Sequence, residues 1–134
     1  MVTFPIISEY SGGLAPGERG KIDGGPLYSL ARVQALAALP NGVKLLTTKC
    51  RHDVQNLGFD EDEVAKLLLS LVAEDYKDSE WCDNGRGFWA ACDAYTIKRK
   101  EWVETAYKEL TMNYFLKFAI GKAGTLVLML SCHL

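Results

Sequence analysis

A chain of 134 residues that is 49% hydrophobic and 24% charged is long enough to bury one core and has the composition of an ordinary globular domain. Its formal net charge of −2 excludes the global basicity of a dedicated nucleic-acid binder, so any nucleic-acid site has to be local. No apolar run approaches the roughly 18 residues of a spanning helix, and the N-terminal MVTFPIISEYSGG has no basic stretch ahead of its short apolar segment, so a cytoplasmic protein without a membrane span is expected.

Residues 1–26 hold six glycines and three prolines, a density that discourages helix and strand interiors and reads as a mobile arm. On that reading residues 1–20 add little to the core, and residues 27–134 form the single domain. SLARVQALAAL follows, with Leu30, Val33, Leu36 and Ala37 at helical spacing and Ser29 placed to cap them; PNG then ends the helix. VKLLTTK is short and β-branched and reads as a strand, and RHDVQNLG as a short helix closed by Gly58.

In LGFDEDEVAKLLLSLVAEDYKDSE, Asp60 and Glu63 form a capping-box pattern, and Val64, Leu67, Leu68, Leu71 and Val72 fall on one helical face. The acidic start of this helix is therefore capping. FWAACDAYTI reads as a strand leading into a helix over KRKEWVETAYKEL, with Trp102, Ala106, Tyr107 and Leu110 on one side. MNYFLKFAI alternates Met112, Tyr114, Leu116, Phe118 and Ile120 against Asn113, Phe115, Lys117 and Ala119. GKAG turns the chain, and TLVLMLSCHL returns as an apolar strand inside the sheet.

The four cysteines, at 50, 82, 92 and 132, contain no C-x-x-C pair and read as reduced thiols; with His52 and His133 they lack the paired spacing of a structural zinc site, so no metal is expected. No phosphate-binding loop, nucleophile elbow or H-E-x-x-H zinc motif occurs. Charge is uneven: carboxylates dominate residues 60–83, whereas from Arg86 to His133 the cations outnumber the acids. An anion would be drawn to that second half.

The order YSLARVQALAALPNGVKLLTTK, LGFDEDEVAKLLLSLVAEDYKDSE, DAY, YFLKF and LVLMLSCHL resembles the MqsR toxins of bacterial toxin–antitoxin systems. The resemblance spans residues 27–134, is best at 57–80 and weakest at 96–111. It implies an α+β fold of the RelE type, with helices packed on a twisted, mainly antiparallel sheet. It also implies a sequence-selective endoribonuclease that cleaves messenger RNA without a metal or cofactor and is neutralised by an antitoxin protein. The implied chemistry is attack of a ribose 2′-hydroxyl on the adjacent phosphate, assisted by a base, a cation and an acid.

Carried over position by position, the resemblance places the family lysine at Lys77 and the C-terminal family lysine at His133, a residue able to move protons near neutral pH. Lys117 is a third catalytic candidate; Arg86, Tyr95 and Phe115 are candidates for holding RNA. The family glutamine falls at Cys92, or by a gap in the Trp89 region, and the family tyrosine at Phe115, so both functional groups are replaced. Those losses favour the alternative of a catalytically altered member that binds RNA or a protein, whereas the retained Lys77, Lys117 and His133 keep the nuclease reading slightly ahead. Each candidate also has an ordinary role: Lys77 as a helix-end charge, His133 as a polar terminus, Lys117 as a solvated strand lysine, Arg86 as a loop charge, and Tyr95 and Phe115 as packing.

Overall fold

The computed structural model describes residues 5–12 and 20–134. Among them are α1 (Leu30–Ala37), β1 (Val43–Leu45), α2 (Thr48–Asn56), α3 (Glu61–Ser70), β2 (Tyr76–Asp83), β3 (Trp89–Val103), β4 (Lys108–Ile120) and β5 (Val127–His133). The fold is α+β, with three helices against one five-stranded mixed sheet in the order β1-β5-β4-β3-β2. β1 runs parallel to β5, and the other neighbours are antiparallel. No helix of the described residues is long and apolar enough to cross a membrane.

Local chemistry sets the helix ends. The Ser29 hydroxyl accepts from Arg32 N–H, and Asp60 accepts from Glu63 N–H at 3.0 Å. Thr47 was expected inside a strand, but its hydroxyl accepts the Cys50 N–H at 3.0 Å and starts α2, leaving β1 only three residues long. α3 ends earlier than its apolar pattern suggests. The Ser70 hydroxyl donates to the Leu67 carbonyl, and the Gln34 amide donates to the carbonyls of Leu68, Leu69 and Leu71, so the last turn is satisfied from the side. Leu71 then turns extended and stays buried, whereas Val72, expected on the buried face, is exposed.

The helix expected over residues 98–110 is not formed. β3 and β4 instead pair continuously from Asp93↔Phe118 to Val103↔Lys108, and the turn uses Tyr107 at φ 50°. KRKEWV has helix-forming residues, but its side chains alternate against β4, and cross-strand pairing overrides propensity. The core lies on the helical face of this sheet, where Tyr95, Tyr114, Leu116 and Phe118 meet Val33, Val64, Leu67 and Leu68.

The described parts of the N-terminal arm are built into the sheet, contrary to the expectation that they add little. β3 and β4 diverge beyond Asp93 and Phe118, and residues 6–9 fill the gap. Ile7 N–H donates to the Trp89 carbonyl and Trp89 N–H to Pro5, while Glu9 N–H donates to Ile120 and Lys122 N–H to Ile7. Residues 20–22 pair with the β2 edge and bury Ile22 against Trp81 and Ala91. Gly25 approaches the Tyr76 and Ser79 hydroxyls so closely that a Cβ there would collide with both. The remainder of the arm, with Phe4, lies outside the described residues.

Candidate active site

Strand alternation sorts the sheet into two faces. The register places Asp78, Ala94, Lys117 and Ser131 in one row across β2, β3, β4 and β5, and Thr96, Phe115 and His133 in the next. These rows face away from the helices. Lys117, Phe115 and His133, far apart in the chain, therefore form one patch.

Their contacts are specific. The Phe115 and His133 rings stack with centroids 5.3 Å apart, and the Lys117 ammonium stands 5.6 Å over the Phe115 ring. His133 Nδ1 lies 2.9 Å from the Leu134 carbonyl, which orients the ring. Lys117 Nζ donates to Glu80 Oε1, and both side chains are largely buried, at 16% and 22% exposure. Lys21 completes the charge cluster, 2.6 Å from Asp78 and 3.4 Å from the second Glu80 oxygen.

Beside this patch lies a cleft of about 560 Å³ between the start of α2, β2, the β2–β3 loop and β5. Lys49, Arg86 and Lys117 bring positive charge to it, and Glu80, Cys82 and Ser131 line its floor. Arg86 is exposed on a loop held by the Asn84 side chain, which accepts from the Arg86 and Phe88 N–H groups. Cys82 Sγ is 3.9 Å from Glu80 Oε1. A hydrogen bond from the Cys92 thiol and the nearby Lys117 charge hold the Cys82 thiol below its usual range against the opposing effect of burial. Cys92 is fully buried, and burial pushes its own thiol up.

Two of the six residues singled out in the sequence stand elsewhere. Lys77 is exposed at the irregularity between Tyr76 and Asp78 on edge strand β2, and does not line the cleft. It follows a single 3-10 turn over Ala73–Asp75 and the first residue of β2, not the end of the long helix α3. Tyr95 is 1% exposed on the helical face, stacked on Phe118 and edge-on to Tyr76, so it packs the core and offers no surface to a base. Burial pushes its phenol up to about 12. Glu80 and Cys82 were missed. The alternation of YKDSEWCD, with Ser79 and Trp81 inward, was the signal, hidden by the acidic residues around it.

Burial pushes the Glu80 carboxyl upward, but hydrogen bonding and charge from Lys117, with Lys21, outweigh it and hold the group below its usual 4.5. A depressed carboxyl contributes stability above its ordinary pKa and loses it as pH falls through the lowered value. The melting temperature should therefore drop on acidification below about 4.5, and Glu80→Gln should show a shallower drop. Thermal melts across that range check this; parallel curves would contradict it.

Among the described residues no three His, Cys, Asp or Glu side chains are grouped to hold a metal ion. The fold and this site define an α+β protein with one sheet face covered by helices and the other carrying a cleft and a cationic, aromatic patch. Comparison with known proteins gives no match to a family model, a curated protein or a solved structure.

Proposed function

We propose that the chain is a metal-independent endoribonuclease of the MqsR and RelE type, acting on single-stranded messenger RNA in the cytoplasm and restrained by an antitoxin protein. The observation that carries the reading is the Glu80–Lys117 ion pair beside the Phe115–His133 stack on the open sheet face. It supplies a base, a cation, a base-stacking ring and a second proton carrier. In the proposed reaction Glu80 takes the proton of a ribose 2′-hydroxyl, and the 2′-oxygen attacks the adjacent phosphorus. Protonation removes the negative charge of Glu80 and frees Lys117 for the charge growing on the phosphate oxygens. His133 gives a proton to the departing 5′-oxygen, leaving a 2′,3′-cyclic phosphate and a 5′-hydroxyl. Phe115 holds a base, and Arg86 at the rim attracts the backbone.

Lys77 has no part in this scheme, since it is outside the cleft. A second reading, a member that binds RNA or protein without cutting, is favoured by one observation: Lys117 is already neutralised by Glu80 in the resting protein. Expression without an antitoxin separates the two. Wild type should arrest growth with loss of transcripts, and His133→Ala should relieve the arrest at equal protein level; harmless wild-type expression would favour the binding module.

A further inference from the structure

The outer half of the β3–β4 hairpin is unexplained by the cleft. Its helical-side face is closed: Arg99 lies over the Phe59 and Tyr114 rings and bonds Glu101, which also accepts the Tyr114 hydroxyl at 2.7 Å. The opposite face is open. It carries Lys98 opposite Asn113, Lys100 opposite Thr111, and Trp102 opposite Glu109. All six residues are exposed, and neither lysine has an ion pair among the described residues. At the tip Trp102 is 55% and Tyr107 79% exposed, with the two rings edge to face at 5.4 Å.

This face is continuous with the Thr96, Phe115 and His133 row. Six residue steps along the strand separate Thr96 from Trp102, about 20 Å. Along that length the surface offers an aromatic ring, two lysines and an aromatic pair, on the sheet face opposite the helices. Large exposed aromatic surface without burial marks a partner site. Rings interleaved with free cations match a strand with unpaired base faces and a phosphate backbone. A duplex conceals its base faces and could not use the tip.

We propose that this hairpin face is a binding strip for single-stranded RNA, on which Trp102 and Tyr107 stack a base distant from the cut and Lys98 and Lys100 contact the intervening phosphates. The strip rests on the RNA reading of the cleft. Glu109 keeps the tip from being cationic, so the tip acts by stacking and the lysines act by charge. The strip extends the required substrate beyond the nucleotides at the cleft and sets the direction in which RNA crosses the sheet.

The test measures anisotropy of labelled RNAs with 2′-O-methyl riboses, which cannot be cut, using the full chain. The probes are a single strand of about 12 nucleotides, one of about 4 nucleotides, and a duplex. The double variant Trp102→Thr and Tyr107→Asn keeps a strand-forming residue and one suited to positive φ, so folding is retained; an unchanged melting curve verifies it. Affinity for the long strand should fall about tenfold or more, with the short strand unaffected and the duplex bound weakly by both proteins. Lys98→Ala and Lys100→Ala should each reduce the slope of log affinity against log salt by about 0.7. Equal long-strand affinity in wild type and the double variant overturns the strip and leaves the tip as a protein-docking element. Hairpin-dependent binding without cleavage of unmodified RNA keeps the strip and removes the nuclease reading; cleavage without hairpin dependence does the reverse.

Discussion

Lys117→Ala is expected to lower RNA cleavage by about 10²-fold or more, the usual loss when one preorganised electrostatic donor is removed. The ammonium is held in place by Glu80 and the Phe115 ring and is 16% exposed, so little reorganisation is needed to meet a phosphorane. Its pKa is raised: burial alone would lower it, but the bond to Glu80 prevails, so it stays charged throughout the neutral range. The alanine variant leaves Glu80 with Lys21 at 3.4 Å, which keeps the carboxylate from being stranded and limits the loss of stability. Lys117→Arg should recover part of the rate if charge is what matters. Single-turnover cleavage alongside thermal melts checks both points; an unchanged rate in folded Lys117→Ala would reduce the residue to a structural ion-pair partner.

The second large effect concerns the fold. Asp93 is fully buried and accepts from the N–H groups of Leu27, at 2.9 and 3.0 Å, and Tyr28, at 3.1 Å, and from the Ser79 hydroxyl at 2.6 Å. It fastens the entry to α1 onto β2 and β3. Asp93→Ala strands these donors, and should cost about 3 kcal/mol or more and lower the melting temperature by about 10 °C. Ser79→Ala removes one of the partners and should cost about 1 kcal/mol. Burial raises the Asp93 carboxyl above its ordinary 3.8, against the opposing hydrogen bonds. Its titration therefore favours the folded state at low pH and costs stability as pH rises through the raised value, opposite in sign to Glu80. Chemical denaturation of the variant measures the cost; a loss below about 1 kcal/mol would show that the donors find other partners.

How far the sequence foretold this molecule depended on where the signal was local. Ser29, Asp60, the Val64, Leu67 and Leu68 stripe and the alternation around Leu116 each act within one or two turns or across one strand, and the structure has those elements where the pattern placed them. Thr47 and Ser70 moved element ends through single hydroxyl hydrogen bonds that propensity does not register. KRKEWVETAYKEL misled because its residues favour a helix in isolation, whereas the six register pairs from Lys98↔Asn113 to Val103↔Lys108 decide the outcome. The arm misled because glycine and proline suggest freedom, yet its backbone groups fill a gap that only the assembled sheet creates.

The site was legible in part for the same reason. Phe115 and Lys117 sit two apart on one strand, so their shared face followed from alternation alone. His133 joins them through the β4–β5 register, and Glu80 through a pairing 37 residues distant from Lys117, which no spacing reveals. Tyr95 belongs to the buried face although its strand carries the open one as well; one step of register separates the two roles. Lys77 was drawn by analogy to a helix end that lies several residues earlier in this chain.

The proposed function is cleavage of RNA on this open face through the ribose 2′-hydroxyl. The direct measurement incubates the purified chain, in excess chelator, with an end-labelled single-stranded RNA and with copies in which one residue at each cut is 2′-deoxy. The expected result is cleavage unaffected by chelator, products ending in 2′,3′-cyclic phosphate, and no cut at the deoxy position. Intact RNA in the presence of folded protein, or cutting that continues at the 2′-deoxy residue, would contradict it.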